Sequence, residues 1–176
     1  RSSDLVFNSS PELAMARFRA AQAAADCSAA KAGQPVILYV VATQTGGTPQ
    51  TNMDLMQEVS DEMAPWLLHC DSIKMTLSRL EDTRMVEIRT HILSEPVDAL
   101  THRSGEYDAV LSDWLEIANP LVVHIRHLAW QSLSLPSLAK ARGSKVVFSF
   151  HDFYTLCPTV KLLDENNVFC GGTCTK

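Results

Sequence analysis

The stretch Lys145-Val-Val-Phe-Ser-Phe-His-Asp-Phe-Tyr-Thr-Leu-Cys-Pro158 decides which fold the sequence predicts. Its first six residues carry apolar and β-branched side chains with almost no polarity, a pattern typical of a strand buried on both faces of a parallel sheet. The apolar run ends at His151 and Asp152. The carboxyl ends of strands in an open α/β sheet form the ligand crevice, so these two side chains are predicted to face a site. The alternative is that His151 only hydrogen-bonds a neighbouring loop.

Outward from this stretch, apolar strands alternate with amphipathic helices. The predicted elements are strands at 35–42, 66–70, 121–125 and 145–150, a hairpin at 74–80 and 84–92, and helices after Thr48, from Ser94, over 105–119 and over 135–142. Strands separated by helices and short loops favour parallel pairing. We therefore predict an α/β fold, namely a Rossmann-like, doubly wound, mainly parallel sheet with helices on both faces and an edge hairpin.

Length and composition limit the class of protein. The chain has 176 residues and suits one well-buried domain, predicted at 34–176, after an N-terminal helix or lead-in at 1–33. Its net charge is −5, with 15 basic against 20 acidic residues, which argues against a nucleic-acid partner. No apolar run reaches the roughly 18 residues of a membrane span. The chain opens without methionine and ends in a cysteine-rich loop, so we expect a piece of a longer protein.

A glycine turn follows the first predicted strand. Gly46 and Gly47 precede Thr48, a plausible N-cap with proline next to it. Glycines let backbone amides approach a phosphate at a helix N-terminus, so Gly46, Gly47 and Thr48 are predicted to bind an anionic substrate group. The pair could equally make only a tight turn.

Two histidines lie at the end of a later predicted strand. His124 and His127 are three residues apart, but side chains alternate faces along a strand, so a shared metal is not expected. We predict instead that one of them faces the crevice. With Asp152, they are predicted as substrate-binding residues.

Three segments together resemble the retaining glycosyltransferases of family four. They are Gly46-Gly47-Thr48-Pro-Gln, His124-Ile-Arg-His127 and Phe150-His151-Asp152-Phe-Tyr-Thr-Leu-Cys157-Pro158. The last block is specific, whereas the glycine pair alone is not. The resemblance covers Gln34 to Cys174 and is to the N-terminal, acceptor-side domain of the GT-B architecture, in which two Rossmann-like halves face each other.

The resemblance implies transfer of a sugar from a nucleotide-sugar donor to a glycan or lipid-linked acceptor, with retained anomeric configuration. It places the glycine turn near the donor diphosphate and His151 beside the reacting sugar, where we hypothesise that it positions the acceptor or handles a proton. A C-terminal domain of the same chain is expected to hold most of the nucleotide, so this piece alone is expected to be inactive. No cofactor is expected, and catalysis is expected to be independent of metal.

The cysteines leave several alternatives open. Five cysteines at uneven spacing do not form a secreted disulfide framework, and we expect reduced thiols in the cytoplasm. Cys157, Cys170 and Cys174 could bind zinc, which usually has four ligands, could form a disulfide in air, or could be ordinary loop thiols.

The predicted function is therefore that of a glycosyltransferase domain, with two rivals. One is a non-catalytic Rossmann-like module that binds a ligand or partner. The other is a sugar-nucleotide epimerase, which is disfavoured because the sequence has no G-x-x-G-x-x-G turn and no Tyr-x-x-x-Lys pair. We expect a cytoplasmic location, with peripheral membrane contact if the acceptor is lipid-linked.

Overall fold

A computed structural model describes residues 33–42, 47–97, 101–151, 153, 157, 161–164 and 166–171. The chain divides after Gln34, and every element given below belongs to the unit Pro35–Lys176. The lead-in helix predicted at 1–33 lies outside the described residues except for Gly33. The assignment of 34–176 as one GT-B domain stays a prediction.

Six strands and three α-helices follow one another in the part of the chain that is described. They are β1 Val36–Val41, α1 Gly47–Glu58, β2 Ala64–Cys70, β3 Lys74–Glu81, β4 Arg84–Ile92, α2 Gly105–Ala118, β5 Val122–Ile125, α3 Leu135–Ala141 and β6 Lys145–Phe148. A 3-10 turn, Val59–Asp61, follows α1.

The strands form a six-stranded sheet in the order β4-β3-β2-β1-β5-β6. The four strands β2, β1, β5 and β6 pair in parallel, whereas β3 and β4 form an antiparallel hairpin against β2. This confirms the predicted α/β class, the mainly parallel sheet and the edge hairpin. The strand order reverses at β1, which has β2 on one side and β5 on the other. In open α/β sheets, ligands bind beyond the carboxyl ends of the strands at such a reversal.

Helices cover both faces of the sheet. Side chains alternate along β1, so Tyr39 and Val40 point to opposite faces. Tyr39 packs in one cluster with Met56 of α1, and both are almost fully buried. On the other face, Tyr107 of α2 is fully buried close to Cys70 of β2. This arrangement confirms the predicted helices on both faces.

Polar side chains and a left-handed residue define the ends of α2. The Ser104 hydroxyl accepts a hydrogen bond from the backbone nitrogen of Tyr107 at 3.2 Å. Asn119 ends the helix in the left-handed conformation with φ of 44°. Asparagine adopts this conformation more readily than most residues, so the sequence stops the helix here.

The environment predicted for β6 is wrong. Its residues alternate between exposed and half-buried instead of being buried on both faces. The reason is that β6 is the outermost strand of the described sheet, beside β5. The strand ends at Phe148, so Phe150 lies beyond it and is 70% exposed.

Two helix starts also differ from prediction. No helix begins at Ser94 within the described residues 94–97. The backbone nitrogen and the hydroxyl of Ser94 both donate to Glu106, which ties this segment to the first turn of α2. Helix α1 begins at Gly47, so Thr48 lies inside the first turn and is not the N-cap.

Candidate functional site

The carboxyl ends of β1, β5 and β6 meet at one edge of the sheet. Gly47 opens α1 beyond β1, Arg126 directly follows β5, and His151 lies shortly after β6. The backbone nitrogen of Arg126 donates to the carbonyl of Val40 at 2.9 Å, which continues the β1–β5 pairing past the end of the strand. Arg126 is therefore fixed at the point where the strand order reverses.

The Arg126 side chain bridges helix α1 and the segment that follows β6. Only 6% of Arg126 is exposed. Its Nε donates to His151 Nε2 at 2.8 Å, and its Nη2 donates to Thr51 Oγ1 of α1 at 3.1 Å. Close by, His124 Nε2 and Ser149 Oγ are 2.7 Å apart. We call Thr51, His124, Arg126, Ser149 and His151 the Arg126 cluster.

No carboxylate neutralises the Arg126 guanidinium among the described residues, whose ion pairs are Arg79–Glu81 and His91–Glu106. Burial lowers the pKa of Arg126, and Tyr39 opposes this effect. Even a lowered arginine pKa leaves the group charged near neutral pH. A buried cation without a counter-ion is unfavourable, so the cluster is suited to an anionic ligand.

The two histidines of the cluster have different surroundings. Burial lowers the pKa of His124, and the nearby Arg126 and His151 lower it further, so His124 is neutral at pH 7. Its ring centroid lies 5.3 Å from that of Tyr39. His151 is exposed and accepts the Arg126 hydrogen bond at Nε2. While this bond exists, Nε2 of His151 cannot take up or release a proton.

The start of α1 adjoins the cluster through Thr51. The Thr51 hydroxyl accepts from Arg126 and donates to the carbonyl of Thr48 at 3.2 Å. Gly47 is exposed, and a Cβ atom added there would meet no atom within 4 Å. The first amides of a helix lack partners within the helix and carry partial positive charge. Both the guanidinium and these amides therefore favour an anion.

Of the remaining predicted site residues, His127 is described and Gly46 and Asp152 are not. The Nδ1 atom of His127 accepts from the backbone nitrogen of Ala129 at 2.9 Å, in the loop after β5. Gly46 and Asp152 lie outside the described residues, so the structure shows only Gly47 of the glycine pair.

The zinc hypothesis stays a prediction. Cys157 is 8% exposed and Cys170 is partly exposed, whereas Cys174 lies outside the described residues. In the residues that are described, no group of three or more His, Cys, Asp or Glu side chains could hold a metal ion. None of the described helices is long and apolar enough to cross a bilayer.

Sequence reasoning missed Arg126, Thr51 and Ser149. A local signal existed for Arg126, because a charged residue directly after an apolar strand is released at the carboxyl edge of the sheet. No local signal existed for its contacts with Thr51 and His151. Those contacts depend on which strands are neighbours and on their register.

Comparison with known proteins gives no assignment. No family model matches the chain, and no curated protein matches it. Among solved structures, the chain is similar to T. thermophilus RuvC in complex with a Holliday junction substrate, at 12% identity and a TM-score of 0.37, over 57% of this chain and 73% of RuvC. It is also similar to the secreted C11 cysteine protease "iotapain" from Bacteroides thetaiotaomicron, at 14% identity and a TM-score of 0.39, over 65% of this chain and 45% of the protease. Similarities this distant support no functional assignment.

Proposed function

We propose that this chain is the N-terminal, acceptor-side domain of a retaining glycosyltransferase, and that the Arg126 cluster binds a phosphate group of the nucleotide-sugar donor. The observation that carries the proposal is a buried guanidinium at the reversal of strand order, with no carboxylate paired to it among the residues that the structure describes. The resemblance of the segments around Gly47, His124 and His151 to family-four glycosyltransferases supplies the reaction class.

The chemistry of glycosyl transfer makes use of such a cation. As the bond between sugar and diphosphate breaks, negative charge develops on the leaving phosphate. Fixed positive groups in a site with little water stabilise that charge more than bulk water does. Arginine suits this task because its planar guanidinium makes paired, charge-assisted hydrogen bonds to phosphate. Arg126 and the first amides of α1 are the groups we assign to this role.

His151 acts in this proposal first as a partner of Arg126. It holds the guanidinium in place in the absence of ligand, through the bond at Nε2. We hypothesise that His151 also positions the acceptor or transfers a proton. This role requires that the hydrogen bond from Arg126 Nε to His151 Nε2 breaks when the donor binds. If His151→Ala leaves turnover of the complete enzyme unchanged, this role is wrong.

The partners follow from the proposed reaction. They are a nucleotide sugar, a glycan or lipid-linked acceptor, and a second domain of the same polypeptide that holds most of the nucleotide. The cytoplasmic setting and the peripheral membrane contact expected from the sequence belong to the same proposal, as does catalysis without a metal.

Anion binding can be tested on this chain with Arg126→Met. We expect inorganic pyrophosphate to bind the unmodified protein, and we expect Arg126→Met to weaken binding at least tenfold, because charge-assisted hydrogen bonds contribute roughly 1.5–3 kcal/mol. Isothermal titration calorimetry measures both affinities. Arg79→Met is the matched control, since Arg79 is also buried but pairs with Glu81 on the edge hairpin. Equal affinities for Arg126→Met and the unmodified protein contradict the proposal.

Catalysis is tested on the complete polypeptide with a panel of nucleotide sugars, by measuring transfer and hydrolysis. Turnover by the unmodified polypeptide that is lost in Arg126→Met supports the proposal that the protein is a glycosyltransferase. Pyrophosphate binding through Arg126 without turnover of any donor identifies the non-catalytic binding module instead.

A further inference from the structure

A tryptophan with strained backbone geometry lies in the loop after β5. Trp130 has a φ of 60°, in the left-handed region that bulky residues rarely adopt. The backbone nitrogen of Gln131 donates to the carbonyl of Leu128 at 3.0 Å, so Trp130 occupies the third position of a tight turn. Glycine or asparagine normally fills a turn position with positive φ. Tryptophan is therefore an unfavourable choice for the fold at this position.

The surrounding residues hold this turn firmly. Gln131 has no exposed surface, accepts a hydrogen bond from the Tyr107 hydroxyl, and donates from Nε2 to the carbonyl of Val41 at 3.3 Å. Leu128 is 7% exposed. Such contacts on both sides of Trp130 impose its conformation, which is how a strained residue persists in a native structure.

Packing of the Trp130 side chain into the core does not offset this backbone strain. It remains 41% exposed, although a tryptophan that serves the fold is usually more deeply buried. Residues held in strained backbone conformations cluster at active sites and ligand-binding sites. The ring of Trp130 is thus available to contact a ligand.

Trp130 and Arg126 are anchored to the same end of β1. The backbone nitrogen of Arg126 bonds to the carbonyl of Val40, and the side chain of Gln131, next to Trp130, bonds to the carbonyl of Val41. Both residues therefore belong to the edge where the strand order reverses. Ligands lie across this edge in open α/β sheets.

We infer that Trp130 is a stacking platform for the ring that the bound phosphate carries. This inference rests on the proposed function, because it takes the Arg126 cluster as the phosphate site. Each half of a nucleotide sugar links a phosphate to a ring: the nucleoside diphosphate carries a flat base through its ribose, and the glycosyl phosphate carries a puckered sugar ring. Stacking on an aromatic side chain requires only a ring face, so it does not depend on which base is present.

The test compares each ring-bearing ligand with the same anion without a ring. Uridine diphosphate is paired with pyrophosphate, and glucose 1-phosphate is paired with inorganic phosphate. We expect Trp130→Gly to weaken binding of at least one ring-bearing ligand by roughly five- to a hundredfold and to leave its ringless partner unchanged. Calorimetry gives all four affinities, and the ligand that responds identifies the ring.

Two further variants separate stacking from a structural effect. Trp130→Phe keeps an aromatic face and is expected to retain most of the affinity. Glycine adopts a positive φ freely, so Trp130→Gly is expected to melt at the same temperature as the unmodified protein or higher. Ile117→Ala is the control. It removes an apolar side chain of similar exposure, 43%, near the C-terminal end of α2, and is expected to change the affinity for none of the four ligands.

The outcomes distinguish this inference from the proposed function. If Arg126→Met weakens pyrophosphate binding while Trp130→Gly changes the affinity for neither ring-bearing ligand, the stacking inference is wrong and the proposed phosphate site is still supported. If neither pyrophosphate nor phosphate binds through Arg126, the proposed function fails and the inference fails with it.

Discussion

Arg126 carries a positive charge, and its side-chain partners in the described part of the chain are neutral. The Thr51 hydroxyl and His151 Nε2 accept its hydrogen bonds, but neither carries negative charge in this arrangement. Hydrogen bonds recover only part of the hydration that a buried ion loses. A ligand that binds the folded state alone adds stability that increases with the logarithm of its concentration. Under the proposed function, an anion bound at Arg126 therefore raises the free energy of unfolding, because it supplies a counter-charge for the guanidinium.

Replacing Arg126 by a neutral side chain of similar length is expected to leave the ligand-free protein at least as stable. Replacing a buried ion pair by apolar groups of similar volume is often neutral or stabilising by about 1–4 kcal/mol, and a buried ion without a counter-charge contributes still less to stability. Urea unfolding of Arg126→Met without added anion measures the change. Arg79→Met is the control, and is expected to lower stability by up to about 1 kcal/mol because it breaks a pair whose carboxylate is 40% exposed. A clear loss of stability in Arg126→Met contradicts the prediction.

Glu106 predicts a dependence of stability on pH. Its Oε2 accepts from the Ser94 hydroxyl and from the Ser94 backbone nitrogen, and its Oε1 pairs with His91 Nε2 at 2.8 Å. The Ser94 hydroxyl and the other two donors lower the pKa of Glu106 to about 2. Because the folded-state pKa lies below the unfolded one, the stabilisation is complete above the unfolded pKa of roughly 4.3 and is lost as pH falls toward 2.

Glu106→Gln is expected to destabilise the protein at pH 7 and to make little difference near pH 2. Urea unfolding of both proteins between pH 7 and 2 gives the difference at each pH. Glu116→Gln removes an exposed carboxylate from the same helix and serves as the control. A stability difference that stays constant from pH 7 to pH 2 shows that the Glu106 contacts do not act through its charge.

At the scale of elements, the Ser104 cap sets the start of α2. Ser104→Ala removes the acceptor for the Tyr107 amide and is expected to cost about 1 kcal/mol, as in other N-cap substitutions. Ser137→Ala makes the same chemical change at an exposed position inside α3, where alanine is the better helix former, so it is expected to be neutral or slightly stabilising. Equal effects of the two substitutions in thermal melts contradict a capping role for Ser104.

The elements themselves were largely predictable, because their signals are local. The apolar composition of β1, the short connection of the β3–β4 hairpin and the helical spacing of the buried residues Tyr107, Leu111 and Trp114 in α2 each identify one segment without reference to the rest of the chain. The environment of β6 was not predictable. An edge strand and a central strand can share one composition, and the difference lies in which strand is the neighbour.

At the scale of the whole molecule, the candidate site was predictable only in part. Parallel strands release their carboxyl ends at one edge, so Gly47 and His151 could be placed together from the sequence. The contact of Arg126 with both sides of that edge required the register of β1, β5 and β6. The position of Trp130 could not be anticipated, since its backbone conformation is imposed by Gln131 contacts from two other elements.

The mixed sheet also implies an order of folding. The β3–β4 hairpin pairs Glu81 with Arg84 across a short turn, whereas β1 pairs Ile37 with Val122, far along the chain. Closing a long loop costs more entropy than closing a short one, so local pairings form earlier. We expect pulsed hydrogen exchange during refolding to protect the amides of β3 and β4 before those of β5, and simultaneous protection would contradict this order. The Arg126 cluster, which we propose as the anion site and which needs β1, β5 and β6 together, is then among the last parts of the protein to form.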